Sequence, residues 1–184
     1  MRLFVALDIP EAVRAAVESL IGELKPLDDS WKWVRAANLH VTLKFLGEVA
    51  PDKLAQIVEA LRTAPTHGPV ALKFRGLGFF PNERRPRVLW AGMDAPPSLM
   101  GLAAAVEAAL AGFGIVREER EFRPHLTLAR SKSATASPQL REAIAALPAR
   151  QFGRMDASTF HLVESRIKSA GPEYTTLESF SLTR

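Results

Sequence analysis

The 184-residue sequence contains no cysteine, and this absence removes several classes of chemistry. Without thiols the chain has no disulfide framework, no thiolate zinc site and no cysteine nucleophile. No apolar run approaches the length of a membrane span. The first apolar stretch, Leu3 to Ile9, is too short for a signal peptide and leads directly into Pro10. We therefore expect a soluble, cytoplasmic protein that does not contact a membrane.

A strong excess of charge of one sign is also missing. Lysine and arginine number 24 against 20 aspartate and glutamate residues, which gives a net charge of +4. This small excess mildly favours anionic partners such as nucleic acid. The length and the 47% hydrophobic content are typical of a globular protein with a real core. No linker separates independent domains, so we expect one domain over residues 1–184.

Two motifs of common enzymes are absent as well. No Gly-x-Ser-x-Gly turn occurs, which argues against the serine nucleophile of the α/β-hydrolases. The run Gly76-Leu77-Gly78 lacks the lysine of a phosphate-binding loop and falls within a predicted strand. We therefore assign these glycines a packing or bulge role.

What the sequence does contain is one tetrapeptide that occurs twice. His40-Val41-Thr42-Leu43 returns as His125-Leu126-Thr127-Leu128, 85 residues later. The same offset lays Arg2 to Ala6 over Arg87 to Ala91. We therefore predict a duplicated unit whose two-fold arrangement brings both histidines to opposite walls of one cleft.

Hydrophobic periodicity predicts alternating strands and helices along both copies, which span roughly 1–80 and 86–166. The predicted strands are 3–7, 31–35, 39–46, 70–80, 87–93, 122–129, 158–166 and 174–182. The predicted helices cover 11–24 and 138–147, together with segments around 54–61 and 97–110. This alternation favours an α/β or α+β fold with two pseudo-symmetric lobes.

Each motif places two polar side chains on one face of its strand. Residues i and i+2 share a face, so His40 points with Thr42, and His125 points with Thr127. Imidazole titrates at about pH 6.5, so one ring can be neutral while the other is protonated. The pair then provides a general base and a general acid, while each threonine hydroxyl can donate to a phosphoryl oxygen.

A metal site is the main rival for the two histidines. Zinc catalysis normally needs a third protein ligand, and neither motif contains a carboxylate. We therefore expect no metal and no cofactor. The other histidines fall outside the repeat: His67 in a turn-like segment and His161 in a predicted strand, where we expect structural or solvent-facing roles.

The sequence resembles the bacterial and archaeal RNA 2′,3′-cyclic phosphodiesterases, also called 2′-5′ RNA ligases, of the 2H phosphoesterase superfamily. The resemblance spans nearly the whole chain and rests on both His-x-Thr-Leu motifs and their surroundings. Those surroundings are Arg2 to Leu7, Trp33-Val34, Asn38-Leu39, Phe45 to Glu48, Gly76 to Pro81, Arg123 to Arg130, Glu164-Ser165 and Gly171 to Tyr174.

This resemblance implies a bilobed, duplicated fold in which two antiparallel-rich sheets face a central cleft, with helices outside. It also implies opening of an RNA-terminal 2′,3′-cyclic phosphate to a 2′-phosphate without a metal. His40 would protonate the departing 3′ oxygen, and His125 would activate water. Thr42 and Thr127 would hold the phosphate oxygens. The residues themselves leave the acid and base order open, because the two motifs are chemically equivalent.

Four further residues near the motifs are candidates for the site. Arg130 is a candidate because a guanidinium can bind a phosphate bidentately. Strand parity, however, places its side chain on the face opposite His125 and Thr127 unless the strand bulges or ends there. Lys44 has the parity of His40, although a lysine at a strand end is commonly solvated. Phe45 and Tyr174 are candidates to stack a base, with a core role as the alternative.

The expected partner is RNA with a 2′,3′-cyclic phosphate end, tRNA fragments included, bound by a monomer. One alternative is 2′-5′ ligation of tRNA halves, in which a 5′ hydroxyl replaces water. A second is an RNA-end binding module with little catalysis. A smaller cyclic nucleotide substrate and a purely structural scaffold also stay open.

Overall fold

A computed structural model describes residues 1–66 and 68–182, which form nine strands and four helices. The strands are β1 (Arg2–Asp8), β2 (Trp31–Trp33), β3 (His40–Glu48), β4 (Val70–Phe80), β5 (Val88–Met93), β6 (His125–Ser131), β7 (Gln151–Ala157), β8 (Thr159–Lys168) and β9 (Gly171–Ser181). The helices are α1 (Glu11–Leu24), α2 (Leu54–Arg62), α3 (Pro97–Ala109) and α4 (Pro138–Ala145). His67, for which we expected a structural or solvent-facing role, lies outside the described residues.

The strands form two antiparallel sheets. The first has the order β3-β1-β8-β9, and the second has the order β2-β6-β5-β4-β7. The predicted mixture of helices with two antiparallel-rich sheets is thus confirmed. Each sheet contains one motif strand, β3 in the first and β6 in the second, and these two strands contact each other.

The two halves of the sequence exchange strands between the sheets. Strand β4 follows β3 along the chain, but it pairs with β5 and β7 in the second sheet. Strand β8 comes from the second half and pairs with β1 in the first sheet. The helices cross over in the same way, because α1 packs on β7 and α3 packs on β3. Residues of both halves therefore share one continuous hydrophobic core.

Helix α1 shows how the sequence creates this packing. Its buried residues recur at helical spacing and form one apolar stripe: Val13, Val17, Leu20, Ile21 and Leu24. Burying an aliphatic side chain of this size stabilises the fold by about 1.5–3 kcal/mol. The stripe faces β7, where a Cβ on Gly153 would lie 3.2 Å from Val13 Cγ2. The absence of a side chain at Gly153 thus allows the helix to approach the sheet closely.

Strand β7 was not predicted from the sequence. Its buried residues are Phe152, Met155 and Ala157, so the alternation expected of a strand is interrupted between the first two. The interruption coincides with a register shift against β4, and Gly153 there has a φ of 121°. A bulge of this kind leaves an extra residue unpaired, and it disrupts the period of two by which a strand is recognised.

The strand register also corrects part of the predicted repeat. Asp8 pairs with His40, and Gly92 pairs with His125. Equivalent positions in β1 and β5 are therefore 84 residues apart in the sequence, whereas the two motifs are 85 residues apart. The match of Arg2 to Ala6 over the segment beginning at Arg87 is therefore wrong by one residue. The slip matters because a shift of one residue exchanges the two faces of a strand.

No helix in residues 1–66 and 68–182 is long and apolar enough to cross a membrane.

Candidate active site

A cleft of about 710 Å³ lies between the two sheets, and both sequence motifs line it. His40 and Thr42 reach it from β3, while His125 and Thr127 reach it from β6. The intervening residues of the motifs are buried on the opposite faces of their strands. The structure thus brings all four predicted polar side chains to one cavity.

The two imidazoles are held in the same way. Nδ1 of His40 donates to the carbonyl oxygen of Asn38 at 2.8 Å, and Nδ1 of His125 donates to that of Arg123 at 2.8 Å. A carbonyl can only accept, so Nδ1 carries the proton in both rings. When a ring is neutral, its Nε2 therefore has a free lone pair, and when it is protonated, Nε2 can donate. This arrangement suits an acid and a base that alternate between these states.

Burial lowers the pKa of both histidines below the usual value for imidazole. The Asn38 carbonyl and Asp8 partly offset this effect by raising the pKa of His40, whereas His125 and Arg130 lower it further. The Arg123 carbonyl raises the pKa of His125, and Arg130 lowers it. An anionic phosphate between the rings would favour their protonated forms.

A bulge in each motif strand places one further residue in the cleft. Along β6, Thr127 pairs with Trp90 and Ala129 pairs with Leu89, so Leu128 is the extra residue. Beyond this bulge the parity changes, and Arg130 faces the cleft. Strand parity alone predicted that Arg130 points away from the cleft unless the strand bulges or ends there. The strand does bulge, so Arg130 reaches the site.

The same bulge occurs in β3, where Leu43 is the extra residue. It turns Phe45 toward the cleft, where the ring is 62% exposed. The prediction that Lys44 shares the face of His40 is wrong for the same reason. This lysine is buried on the other side of the strand and forms an ion pair of 2.6 Å with Glu107 of α3.

Tyr174 also lines the cleft, but its ring contacts other rings of the wall. The centroid of Tyr174 lies 5.3 Å from that of His40 and 5.1 Å from that of Phe4, edge-on in both cases. Phe4 in turn lies 4.7 Å from His40. Burial raises the pKa of the Tyr174 hydroxyl, which keeps the ring neutral. Tyr174 thus supports His40, whereas the Phe45 ring contacts Phe4 at 6.1 Å and leaves most of its surface exposed to the cleft.

His125 has a different aromatic support. The Phe80 ring lies edge-on to it at 5.0 Å and contacts Trp90 at 5.2 Å. A Cβ on Gly78 would lie 2.3 Å from the Trp90 ring, so only glycine leaves room for this indole. Gly76, with a φ of 83°, lies at a register shift between β4 and β5. The predicted packing and bulge roles of these glycines are confirmed.

Sequence reasoning missed several basic side chains that line the cleft. Besides Arg130, the lining contains Arg2, Lys32, Arg35 and Lys168, and no aspartate or glutamate is among the described lining residues. These cations come from separate segments that approach one another only in the folded chain. Arg35 Nη2 donates to the carbonyl of Ala170 at 2.6 Å, which ties the turn between β8 and β9 to the cleft edge.

In the described part of the chain, no three His, Asp or Glu side chains form a group suited to hold a metal ion. His161 lies outside the lining of the cleft, on β8, and its Nε2 is 3.7 Å from Asp8 Oδ2.

Comparisons with known proteins agree with this geometry. Residues 7–90 and 93–174 match the LigT like Phosphoesterase family. An RNA 2′,3′-cyclic phosphodiesterase of Archaeoglobus fulgidus is 37% identical over 180 residues, which are 98% of this chain and 99% of that protein. An enzyme of the same name from Thermus thermophilus is 40% identical over 190 residues, covering 99% of this chain and 90% of that protein.

Solved structures show the same fold. A crystal structure of a Thermus thermophilus protein superposes with a TM-score of 0.83 at 37% identity, covering 99% of this chain and 98% of that one. The structure of E. coli LigT complexed with 3′-AMP superposes with a TM-score of 0.81 at 29% identity, covering 100% of this chain and 98% of that one. The sequence resemblance is thus confirmed along the full length.

Proposed function

This chain belongs to the LigT-like phosphoesterase family, and on that premise we propose that it hydrolyses the 2′,3′-cyclic phosphate at RNA ends to a 2′-phosphate. The observation that carries the proposal is the matched presentation of two imidazoles in one cleft. His40 and His125 each donate Nδ1 to a backbone carbonyl and keep Nε2 for chemistry.

The reaction needs one proton acceptor and one proton donor. The oxygen of water bonds to phosphorus while its proton passes to Nε2 of His125, which acts as the base. On the opposite side of phosphorus the bond to the 3′ oxygen breaks, and this oxygen takes the proton of His40 Nε2. The product carries a 2′-phosphate and a 3′ hydroxyl. Positioned acid and base groups each contribute about 10²- to 10⁴-fold in rate.

The remaining cleft residues hold the phosphate and the nucleoside. The hydroxyls of Thr42 and Thr127 donate to the phosphoryl oxygens, and the guanidinium of Arg130 stabilises the negative charge that develops on them. The exposed ring of Phe45 stacks on the terminal base. Tyr174 acts indirectly, since its ring packs against His40.

RNA is the substrate class that fits the charge of the site. The cleft lining is basic and contains no acidic residue among those described, which favours a polyanionic strand. E. coli LigT, a structural relative, has been captured with 3′-AMP. Both histidines come from one chain, so we propose a monomeric enzyme. We further propose that it acts in the cytoplasm, with tRNA fragments among its substrates.

The test is to follow a short oligonucleotide with a 2′,3′-cyclic phosphate by ³¹P NMR, with and without a chelator. We expect the cyclic resonance to be replaced by that of a 2′-phosphomonoester at the same rate in both samples. Loss of all turnover in chelator would contradict the metal-free mechanism. Tight binding of the oligonucleotide without turnover would instead indicate a binding module. His125→Ala serves as the inactive comparison.

A further inference from the structure

The two histidines differ in the residue that faces each of them on the neighbouring strand. Asp8 of β1 is the pairing partner of His40, and Gly92 of β5 is the pairing partner of His125. Side chains of directly opposed residues in an antiparallel pair lie on the same face, with Cβ atoms about 4.5–5.5 Å apart. One imidazole therefore has a carboxylate beside it on the paired strand, while the other faces a glycine.

The second sheet cannot provide a carboxylate at this position. A Cβ on Gly92 would lie 2.8 Å from the carbonyl oxygen of Arg75 and 3.1 Å from the Trp90 ring. The first distance involves backbone, which cannot move aside as a flexible side chain can. The difference between the two histidines thus follows from the packing of the second sheet.

Asp8 is also the one acidic residue that acts on His40. Among the described residues, the charged or titratable groups acting on this ring or touching it are Asp8 from β1, His125 and Arg130 from β6, and Tyr174 from β9. Desolvation, His125 and Arg130 all lower the pKa of His40, whereas Asp8 raises it. In the part of the chain that the structure describes, no carboxylate acts comparably on His125.

A third histidine faces Asp8 from the other side. His161 of β8 places Nε2 3.7 Å from Asp8 Oδ2, and its Nδ1 hydrogen-bonds with Ser179 Oγ at 2.9 Å. Both Asp8 and His161 line a second depression of about 430 Å³, and the Asp8 side chain is 66% exposed. Asp8 therefore lies between two imidazoles.

We propose that Asp8 is a positioning residue that makes His40, rather than His125, the proton donor of the reaction. The proposal rests on the proposed hydrolysis and adds the group that distinguishes two otherwise equivalent motifs. Asp8 stabilises the imidazolium of His40 through space.

The first test compares the pH profile of kcat/KM in the wild type with that in Asp8→Asn. The acid has to be protonated, so its pKa sets the alkaline limb of the profile, and the pKa of the base sets the acidic limb. Removing the carboxylate should move the alkaline limb to lower pH by about 0.5–1 unit, given the solvent exposure of Asp8. On the alkaline side kcat/KM then falls about 3- to 10-fold, while the acidic limb stays in place.

His161→Gln separates this electrostatic role from a structural one. Both substitutions alter the contact between Asp8 and His161, so a structural role of this contact predicts a similar loss in each at every pH. An electrostatic role predicts that His161→Gln leaves the alkaline limb in place, because the charge of Asp8 is unchanged. Equal losses in the two variants would overturn the proposal, as would movement of the acidic limb in Asp8→Asn.

Two measurements complete the test. Glu178→Gln removes the same charge from the other face of the first sheet, where the residue pairs with the buried Leu162, and it should not move either limb. Titration of the imidazole resonances by NMR should show a lower pKa for His40 in Asp8→Asn and no change for His125. An unchanged pKa of His40 would overturn the proposal even if the chain lacked the proposed activity, so the two failures are distinguishable.

Discussion

The two motif strands present matching side chains to the cleft and then diverge at one position. His40 and Thr42 on β3 correspond to His125 and Thr127 on β6, and each strand then bulges at a leucine. Beyond the bulges, β3 presents the apolar ring of Phe45 and β6 presents the guanidinium of Arg130. The comparison teaches that the same bulge can present side chains of opposite character, an apolar ring from one sheet and a cation from the other.

The surroundings of the two histidines also differ, in burial and in aromatic contacts. His40 is the more deeply buried of the two, packed against Phe4 and Tyr174. His125 is less buried and contacts the edge of Phe80. A base that activates water benefits from access to solvent, whereas an acid that serves the leaving oxygen does not need it. Solvent access at His125 and the position of Asp8 therefore support the same assignment of roles, and Asp8 opposes the fall in the pKa of His40 that its deeper burial causes.

The largest expected effect comes from removing either histidine. His40→Ala and His125→Ala should each lower kcat by about 10²- to 10⁴-fold. A substrate with sulfur in place of the 3′ oxygen separates the two roles, because a thiolate leaves without protonation far more readily than an alkoxide. This substrate should restore turnover in His40→Ala and leave His125→Ala inactive, as followed by release of the thiol. Rescue of His125→Ala instead would reverse the assignment.

Removing Arg130 should have the next largest effect. Arg130→Ala should lower kcat/KM by about 10²- to 10³-fold, since a charged donor to the transition state is lost. Arg130→Lys should recover only part of this, because a lysine lacks the planar fork. Arg62→Ala, on helix α2 outside the cleft, is the matched control and should keep wild-type kinetics. Wild-type rates in Arg130→Ala would show that the bulge in β6 has no role in the chemistry.

The smallest of the three effects is expected at Phe45. Phe45→Ala should raise KM about 10-fold for an oligonucleotide with a terminal base, at a similar kcat, since a stacked base contributes about 1–3 kcal/mol. An abasic 2′,3′-cyclic phosphate end should bind both proteins equally weakly. Phe45→Tyr keeps the ring and should keep the KM. If Phe45→Ala weakens binding of the abasic end as much as binding of the end with a base, then Phe45 does not contact the base.

Part of this site could be predicted from the sequence because strand parity is a local property. It correctly assigned His40, Thr42, His125 and Thr127 to the cleft, since all four precede the bulges. Parity failed at Lys44 and left Arg130 undecided, because each motif strand contains a bulge, and the leucine at each bulge gives no sequence signal of one. The same cause concealed strand β7, whose alternation is broken at Gly153.

Other features lie beyond any local pattern. Which strands become neighbours depends on the packing of the whole chain, so the exchange of β4 and β8 between the sheets left no sign in the periodicity. The basic part of the cleft lining, which includes Lys32, Arg35 and Lys168, comes from distant segments and could not be predicted for the same reason. The pairing of Asp8 with His40 became visible only once the register of β1 against β3 was known.

The exchange of strands also determines what would become of the protein if it were cut between its halves. Without β8, strand β1 of the first half has an unpaired edge, and without β4, strand β5 of the second half has one too. Each fragment alone exposes backbone groups and apolar surface that only the other can cover. Two separately produced fragments divided between β4 and β5 would thus be expected to assemble with each other, and catalysis would be regained only in the reassembled pair.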